Sequence, residues 1–289
     1  MMTRFGLALV WLLHGLPLRW LAPLGRGLGR LLYALAAERR RVVLTNLKLC
    51  FPQLDEASRK DLARRHFAAF GRSLLEHGIL WWGSRERVMQ LVSIEGLEHW
   101  RAVGDRPVIW LVPHFVGLDM GAIRLTAEHP FVAMYSRQKN PAFDAVLYQG
   151  RTRLGPAQMI SRQEGLRPVA RAMKSGMPFY YLPDMDYGER DSIFVPFFGV
   201  SAATITGLSR IAALTGAVVV PAVTEQLPDD KGYRLRFHPA WSDFPSGDLA
   251  ADTRRMNAFI EDQVRAMPEQ YYWLHKRFKT RPPGEARIY

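Results

Sequence analysis

Three observations predict an α/β fold with a central, mostly parallel sheet flanked by helices. Apolar runs of strand length, Val108–Val112, Phe131–Tyr135, Pro178–Leu182 and Ala217–Val223, recur along the chain. Stretches of helical periodicity, such as Glu56–Leu80 and Asp252–Met267, lie between and around them. Three of the runs deliver a polar group just past their carboxyl ends (His114, Arg137, Asp184), the edge at which open α/β sheets collect ligands. An N-terminal apolar helix, read as a membrane anchor or interfacial pair over residues 1–37, completes the expected architecture.

At 289 residues the chain is long enough to bury a large core, and 48% hydrophobic content argues against disorder. The net charge of +12 points to a polyanionic partner: nucleic acid, an anionic membrane face or a phosphorylated substrate. Nucleic acid is the poorest fit, because the aromatic residues are not interleaved in a repeating basic ladder. Cys50 is the single cysteine, which excludes an internal disulfide and a cysteine-rich zinc site. No HExxH or paired-histidine pattern occurs, so no metal is expected.

Phe5–Leu24 is mostly apolar but interrupted by His14, Pro17 and Arg19, and a second apolar piece, Gly27–Ala37, runs into Arg39, Arg40 and Arg41. About 20 apolar residues are needed to span a bilayer, and this run barely reaches that length. A single span with the arginine cluster on the cytoplasmic side and an interfacial helix pair are the two main readings. A secretory signal ranks below them, because Arg19, Arg26 and Arg30 break its hydrophobic region.

Arg39–Pro52 then reads as a basic helix stopped by Pro52, and Asp55 as the N-cap of the long helix Glu56–Leu80. Val92–Ile94 is a short strand closed by Gly96, Asn140–Leu154 a helix carrying Arg151 and Arg153, and Met159–Ile160 a brief strand. Leu166–Lys174 is a basic helix, Phe194–Gly199 an apolar loop, and Tyr233–His238 an edge strand. A helix is expected from Thr204 to Leu214, with amides at its start free to hold a carbonyl or phosphate oxygen. The tail after Met267 reads as a helix with buried aromatics and a basic end, or as a lip facing a polyanion.

The chemistry is expected at His114. The Val108–Val112 strand, the break at Pro113 and a helix starting near Asp119 place an imidazole past a strand end with a carboxylate five residues on. Asp119 is expected to hold one ring nitrogen and leave the other free as a base. That is two-thirds of a Ser–His–Asp triad without the serine, so the substrate brings its own hydroxyl. The same spacing recurs at His238 and Asp243, but that histidine lacks the entering core strand and the departing helix and is read as structural. Arg137 is expected to contact a phosphate or oxyanion, and Asp184 to orient a site arginine or the acceptor. A covalent serine hydrolase is disfavoured, since no G-x-S-x-G elbow occurs.

Taken together, NLKLCFP (Asn46–Pro52), HFVGLD (His114–Asp119), YSRQKNP (Tyr135–Pro141), DMD (Asp184–Asp186), FVPFFGVSAAT (Phe194–Thr204) and YYWLHKRFKTRPPGE (Tyr271–Glu285) form an ordered set. In it the chain resembles the late acyltransferases of lipid A biosynthesis, the lauroyl and myristoyl transferases of the lysophospholipid acyltransferase superfamily. Many of those enzymes have Glu where this chain has Asp119. The resemblance implies a glycerolipid acyltransferase-like domain over residues 38–289. It also implies a peripheral or single-anchor enzyme on the cytoplasmic face of the bacterial inner membrane, without a cofactor. The implied donor is an acyl thioester on acyl carrier protein, with acyl-CoA as the alternative. The implied acceptor is a hydroxyl of a phosphorylated lipid A precursor. A lysophospholipid or another glycolipid is the alternative acceptor, and a basic lipid-binding membrane-surface protein the non-enzymatic alternative.

Overall fold

The structure, a computed structural model, describes residues 2–289. The chain opens with α1 (Met2–Leu13), α2 (Leu18–Leu35), α3 (Ala37–Cys50), the long α4 (Glu56–Trp82) and α5 (Arg85–Leu91). Then come β1 (Val92–Glu95), α6 (Leu97–Arg101), β2 (Val108–Leu111), α7 (Leu118–Thr126), β3 (Phe131–Tyr135), α8 (Pro141–Thr152) and β4 (Ala157–Ser161). The remainder is α9 (Arg167–Lys174), β5 (Phe179–Tyr181), β6 (Ser192–Phe197), β7 (Val200–Ile205), α10 (Gly207–Thr215), β8 (Val218–Gln226), β9 (Tyr233–Phe237) and α11 (Leu249–Ala266).

Seven strands form one sheet in the order β1-β9-β8-β2-β5-β3-β4. Every neighbouring pair is parallel except β8 with β9, so the expected mostly parallel sheet is present. Side-chain alternation along β2 divides the interior in two. Ile109 and Leu111 join the core that α9, α10 and α11 cover. Val108, Trp110 and Val112 join the opposite core, beneath α1, α2 and α7. β2 lies mid-sheet, so the loop leaving it is held from both sides.

The expected membrane-anchor helix is corrected: among the described residues no helix is long and apolar enough to cross a membrane. The turn before Pro17 ends α1 after 12 residues, roughly 18 Å of rise against a hydrocarbon layer of about 30 Å. α2 carries Arg19, Arg26 and Arg30 and is seated backbone-to-backbone on α4. A Cβ added at Gly29 would lie 2.0 Å from the Phe67 carbonyl oxygen, and one at Gly71 would lie 2.3 Å from the Gly29 nitrogen. Small residues here let two helices approach closely. Arg26 also pairs with Asp230 beyond β8.

Two further expectations change. Phe194–Gly199 is not a loop but most of β6 and the turn of a β-hairpin, β6–β7, turned at Phe198 (φ 50°) and Gly199 (φ 76°). Two successive positive φ angles make the tight turn whose twist matches antiparallel strands. The tail after Met267 is not a helix but an irregular strap lying across the carboxyl end of the sheet.

Candidate active site

The register of two strands builds the centre of the site. Leu111 of β2 stands beside Tyr181 of β5, and the Val112 N–H donates to the Tyr181 carbonyl oxygen. Three residues beyond each partner are His114 and Asp184, so two parallel strands deliver an imidazole and a carboxylate to one spot. His114 Nδ1 lies 2.6 Å from Asp184 Oδ1, and the His114 backbone N–H donates to Oδ2 of the same carboxylate at 2.9 Å. Burial pushes the Asp184 carboxyl up, but the adjacent His114 and its two hydrogen bonds outweigh that and hold it below the usual carboxylate range. A carboxylate at Nδ1 fixes the tautomer, leaving the Nε2 lone pair of the neutral ring free.

The expected Asp119–His114 hydrogen bond is therefore not made. Asp119, in the first turn of α7, takes Arg151 of α8, with Nε to Oδ1 at 3.0 Å and Nη2 to Oδ2 at 3.2 Å. His77 of α4 places Nε2 3.2 Å from Asp119 Oδ2. A bidentate guanidinium is a stronger partner than one ring nitrogen, and the helix turns the carboxylate toward it. Burial opposes the charged form of Asp119, but Arg151 and then His77 hold its carboxyl well below the ordinary range.

Both groups face a cavity of about 950 Å³. One part is apolar, walled by Leu118 and Ala122 of α7, Leu147 of α8, Phe131 and Ala133 of β3, and Met159 of β4. It follows β3 from Tyr135 back to Phe131, a depth of about 13 Å. The other part is net cationic, with Arg162, Arg190 and Arg210 beside the start of α10 and Asp191 pairing with Arg190 and Arg210. The cavity thus joins an apolar arm to a guanidinium-lined one.

The strap secures this geometry. Tyr272 N–H donates to the His114 carbonyl oxygen at 2.9 Å. Asp186 accepts from Thr280 N–H and Oγ1, while its own N–H donates to His275 Nε2 at 2.8 Å. Burial lowers His275 to about 4, so it is a neutral acceptor. Buried Asn46 of α3 donates to the carbonyl oxygens of Trp273 and His275, both at 2.8 Å. The motifs around residues 46, 114, 184 and 275 thus meet at one place.

The matched length decides the family. The model of the bacterial lipid A biosynthesis acyltransferases matches residues 1–280. This chain belongs to that family. The lipid A biosynthesis lauroyltransferase of Escherichia coli is 36% identical over 286 residues, covering 98% of this chain and 93% of that protein. The palmitoleoyltransferase of the same organism is 34% identical over 291 residues, covering 100% and 94%, and the myristoyltransferase 35% over 274, covering 93% and 83%. A solved 1-acyl-sn-glycerophosphate acyltransferase from Thermotoga maritima shares 14% identity over 82% of this chain and 98% of that one. Its TM-score is 0.39, too loose to compare individual residues.

In this member of the lipid A acyltransferase family, two expected ligand contacts at the candidate site move. Thr204 does not start a helix. It is buried in β7, accepting from Arg277 Nη2 at 2.7 Å, and α10 begins at Gly207 because the hairpin continues to Ile205. The helix start that faces the cavity is therefore Thr206–Gly207. Arg137 lies past the end of β3, exposed and outside the cavity lining, where its neighbours Ser136 and Gln138 do contribute. Of the tail's basic residues Arg277 is buried, its guanidinium 5.1 Å from the Phe197 ring centre, while Lys279 is exposed. Arg151 and His77 had no distinguishing sequence signal, since each sits in a helix among ordinary charged residues. His238 stands apart, its ring against Phe259.

Proposed function

We propose that this chain transfers a fatty acyl group from an acyl thioester, carried by acyl carrier protein, to a hydroxyl of a phosphorylated lipid A precursor. The observation that carries the reading is the His114 ring, held at Nδ1 by buried Asp184, with Nε2 unpartnered among the described residues and beside an amphiphile-sized cavity. His114 Nε2 takes the proton of the acceptor hydroxyl as that oxygen attacks the thioester carbonyl. Asp184 offsets the positive charge that develops on the ring. The tetrahedral oxyanion is met by Arg151, which Asp119 pins on the cavity wall. The intermediate collapses, the C–S bond breaks, and the departing thiolate takes the proton from the imidazolium. General-base help of this kind contributes ~10²–10⁴-fold, and one aimed oxyanion partner ~3 kcal/mol.

The apolar arm holds the acyl chain, and the arginine-lined arm holds phosphate oxygen. The charge of +12 favours an acidic carrier, an anionic lipid and an anionic leaflet alike. Exposed Phe5, Leu9, Trp11, Leu12, Trp20 and Leu24, with Arg4, Arg19 and Arg30 interleaved, rest in the interfacial layer of the bacterial inner membrane on its cytoplasmic face. Mass spectrometry of lipid A from cells with and without the gene tests the acceptor and the chain length together. Loss of one secondary acyl chain is expected. An unchanged lipid A profile alongside an altered phospholipid profile moves the acceptor to a lysophospholipid. In a purified assay His114→Ala abolishes transfer while leaving the unfolding midpoint in place, and retained turnover removes the base assignment.

A further inference from the structure

The cationic end of the cavity continues into a surface that the transfer mechanism leaves unused. Gly165 and Leu166, which line the cavity, lead directly into the first turn of α9. From there Arg167, Arg171 and Lys174 follow at i, i+4 and i+7, all exposed, along about 12 Å of helix. The opposite side of α9 is buried through Val169, Ala172 and Met173, so the stripe is fixed in orientation. None of the three cations makes an ion pair or side-chain hydrogen bond with another described residue. Many arginines elsewhere are paired, as Arg234 and Arg236 are with Glu95. α10 packs beside α9, adding Arg210 at the cavity mouth and an exposed Leu214. Leu166 is exposed at the other end of the stripe.

We infer that this α9–α10 surface is the docking site for the acidic carrier protein that presents the acyl thioester. The inference rests on the carrier-dependent donor proposed above. Unpaired cations at i, i+4 and i+7 complement the acidic face of a partner helix, and the two exposed leucines supply the apolar contacts that a small interface needs. A carrier seated here delivers its prosthetic arm past Arg162 and Arg210 toward His114, with the arm's phosphodiester meeting those guanidinium groups. A bilayer is the less suitable occupant. α9 and α10 belong to the core on one face of the sheet, whereas α1 and the first part of α2 (residues 18–28), which carry the exposed tryptophans, pack on the other. Donor and membrane thus approach the site from opposite sides.

The test uses the full chain with Arg167→Glu, Arg171→Glu and Lys174→Glu combined, and a control with Arg41→Glu and Lys48→Glu at exposed positions of α3. Fluorescence anisotropy of labelled acyl carrier protein measures binding, and the unfolding midpoint verifies folding. The triple variant is expected to bind the carrier on the order of tenfold or more weakly, with KM for the acyl carrier rising in parallel. The control keeps the parent's carrier affinity, and the triple variant loses no more binding to phosphatidylglycerol vesicles than its lowered net charge, scaled from the control, accounts for. Parent-like carrier affinity in the triple variant overturns the inference. Loss of vesicle binding with carrier affinity intact also overturns it and makes the stripe a membrane face. A parent that neither binds the carrier nor uses its thioester defeats the donor assignment itself, an outcome distinct from failure of the stripe alone.

Discussion

His114 Nδ1 and Asp184 Oδ1 lie 2.6 Å apart although 70 residues separate them in the chain, and the second Asp184 oxygen takes the His114 backbone N–H at 2.9 Å. One carboxylate therefore sets both the ring tautomer and the loop that carries the ring. Asp184→Asn keeps the volume but offers the wrong group to Nδ1, so the imidazole loses its preferred tautomer. A fall in kcat of about 10³–10⁴-fold with little change in KM is expected, by analogy with the third member of a Ser–His–Asp triad. Steady-state kinetics on the purified variant checks this, and a loss under tenfold would show that Asp184 only supports the loop.

Asp119 and Arg151 should behave differently. Removing one partner of a largely buried ion pair leaves the other uncompensated, so Asp119→Asn is expected to cost about 3 kcal/mol of stability, read by denaturant titration. Asp119→Glu keeps the charge and should recover most of that loss. Turnover in Asp119→Asn should fall together with that of Arg151→Met, and the double variant should be little worse than either alone. Additive losses in the cycle would separate the two roles.

The acid limb of stability follows from the same two carboxylates. Asp119 and Asp184 both have folded-state pKa values below the unfolded value of about 3.9. Their contribution is fully present above that unfolded value and is lost as pH falls through the folded values. The unfolding midpoint is thus expected to drop below about pH 4, and less steeply in Asp184→Asn. A parent and variant with identical acid limbs would contradict the assignment.

Much of the fold was legible in the sequence. The runs at Val108, Phe131, Pro178 and Ala217 all became strands of one sheet, because apolar stretches of that length bounded by turns have few alternatives. His114 was legible from its strand–turn–helix setting. Its partner was not, because local spacing points to Asp119, whereas the pairing of β2 with β5 brings in Asp184 from 70 residues away. The β6–β7 hairpin was not legible because Pro196 and three phenylalanines obscure alternation, although Phe198-Gly199 carries a turn signal. At the N-terminus apolar content points to a membrane anchor, whereas the Gly25-x3-Gly29 spacing seats α2 on α4.

Thr204, expected at a ligand-binding helix start, supports the hairpin instead. Its hydroxyl accepts from Arg277 Nη2 at 2.7 Å, and Arg277 Nη1 donates to the Ala203 carbonyl oxygen at 2.8 Å. Thr204→Val removes one acceptor from a buried guanidinium and should cost about 1–3 kcal/mol, with kcat/KM unchanged at temperatures where the variant is folded. A selective rise in KM for either substrate would return Thr204 to the binding site.

The N-terminal helices carry two separable properties, packing and exposure. Gly29→Leu places a side chain where even a Cβ meets the Phe67 carbonyl oxygen, so α2 must lift from α4. The expected result is a loss of several kcal/mol, or failure to accumulate as folded protein. Trp11 and Trp20 are 53% and 61% exposed, so Trp11→Ser with Trp20→Ser should leave the unfolding midpoint in place. The same pair should weaken partitioning to phosphatidylglycerol vesicles, because each ring removes on the order of 2 kcal/mol of interfacial burial. Vesicle sedimentation reads the second effect and thermal unfolding the first. Should the tryptophan pair unfold the protein while partitioning stays intact, α1 and α2 would be packing elements only, and the bilayer contact would have to lie elsewhere on the surface.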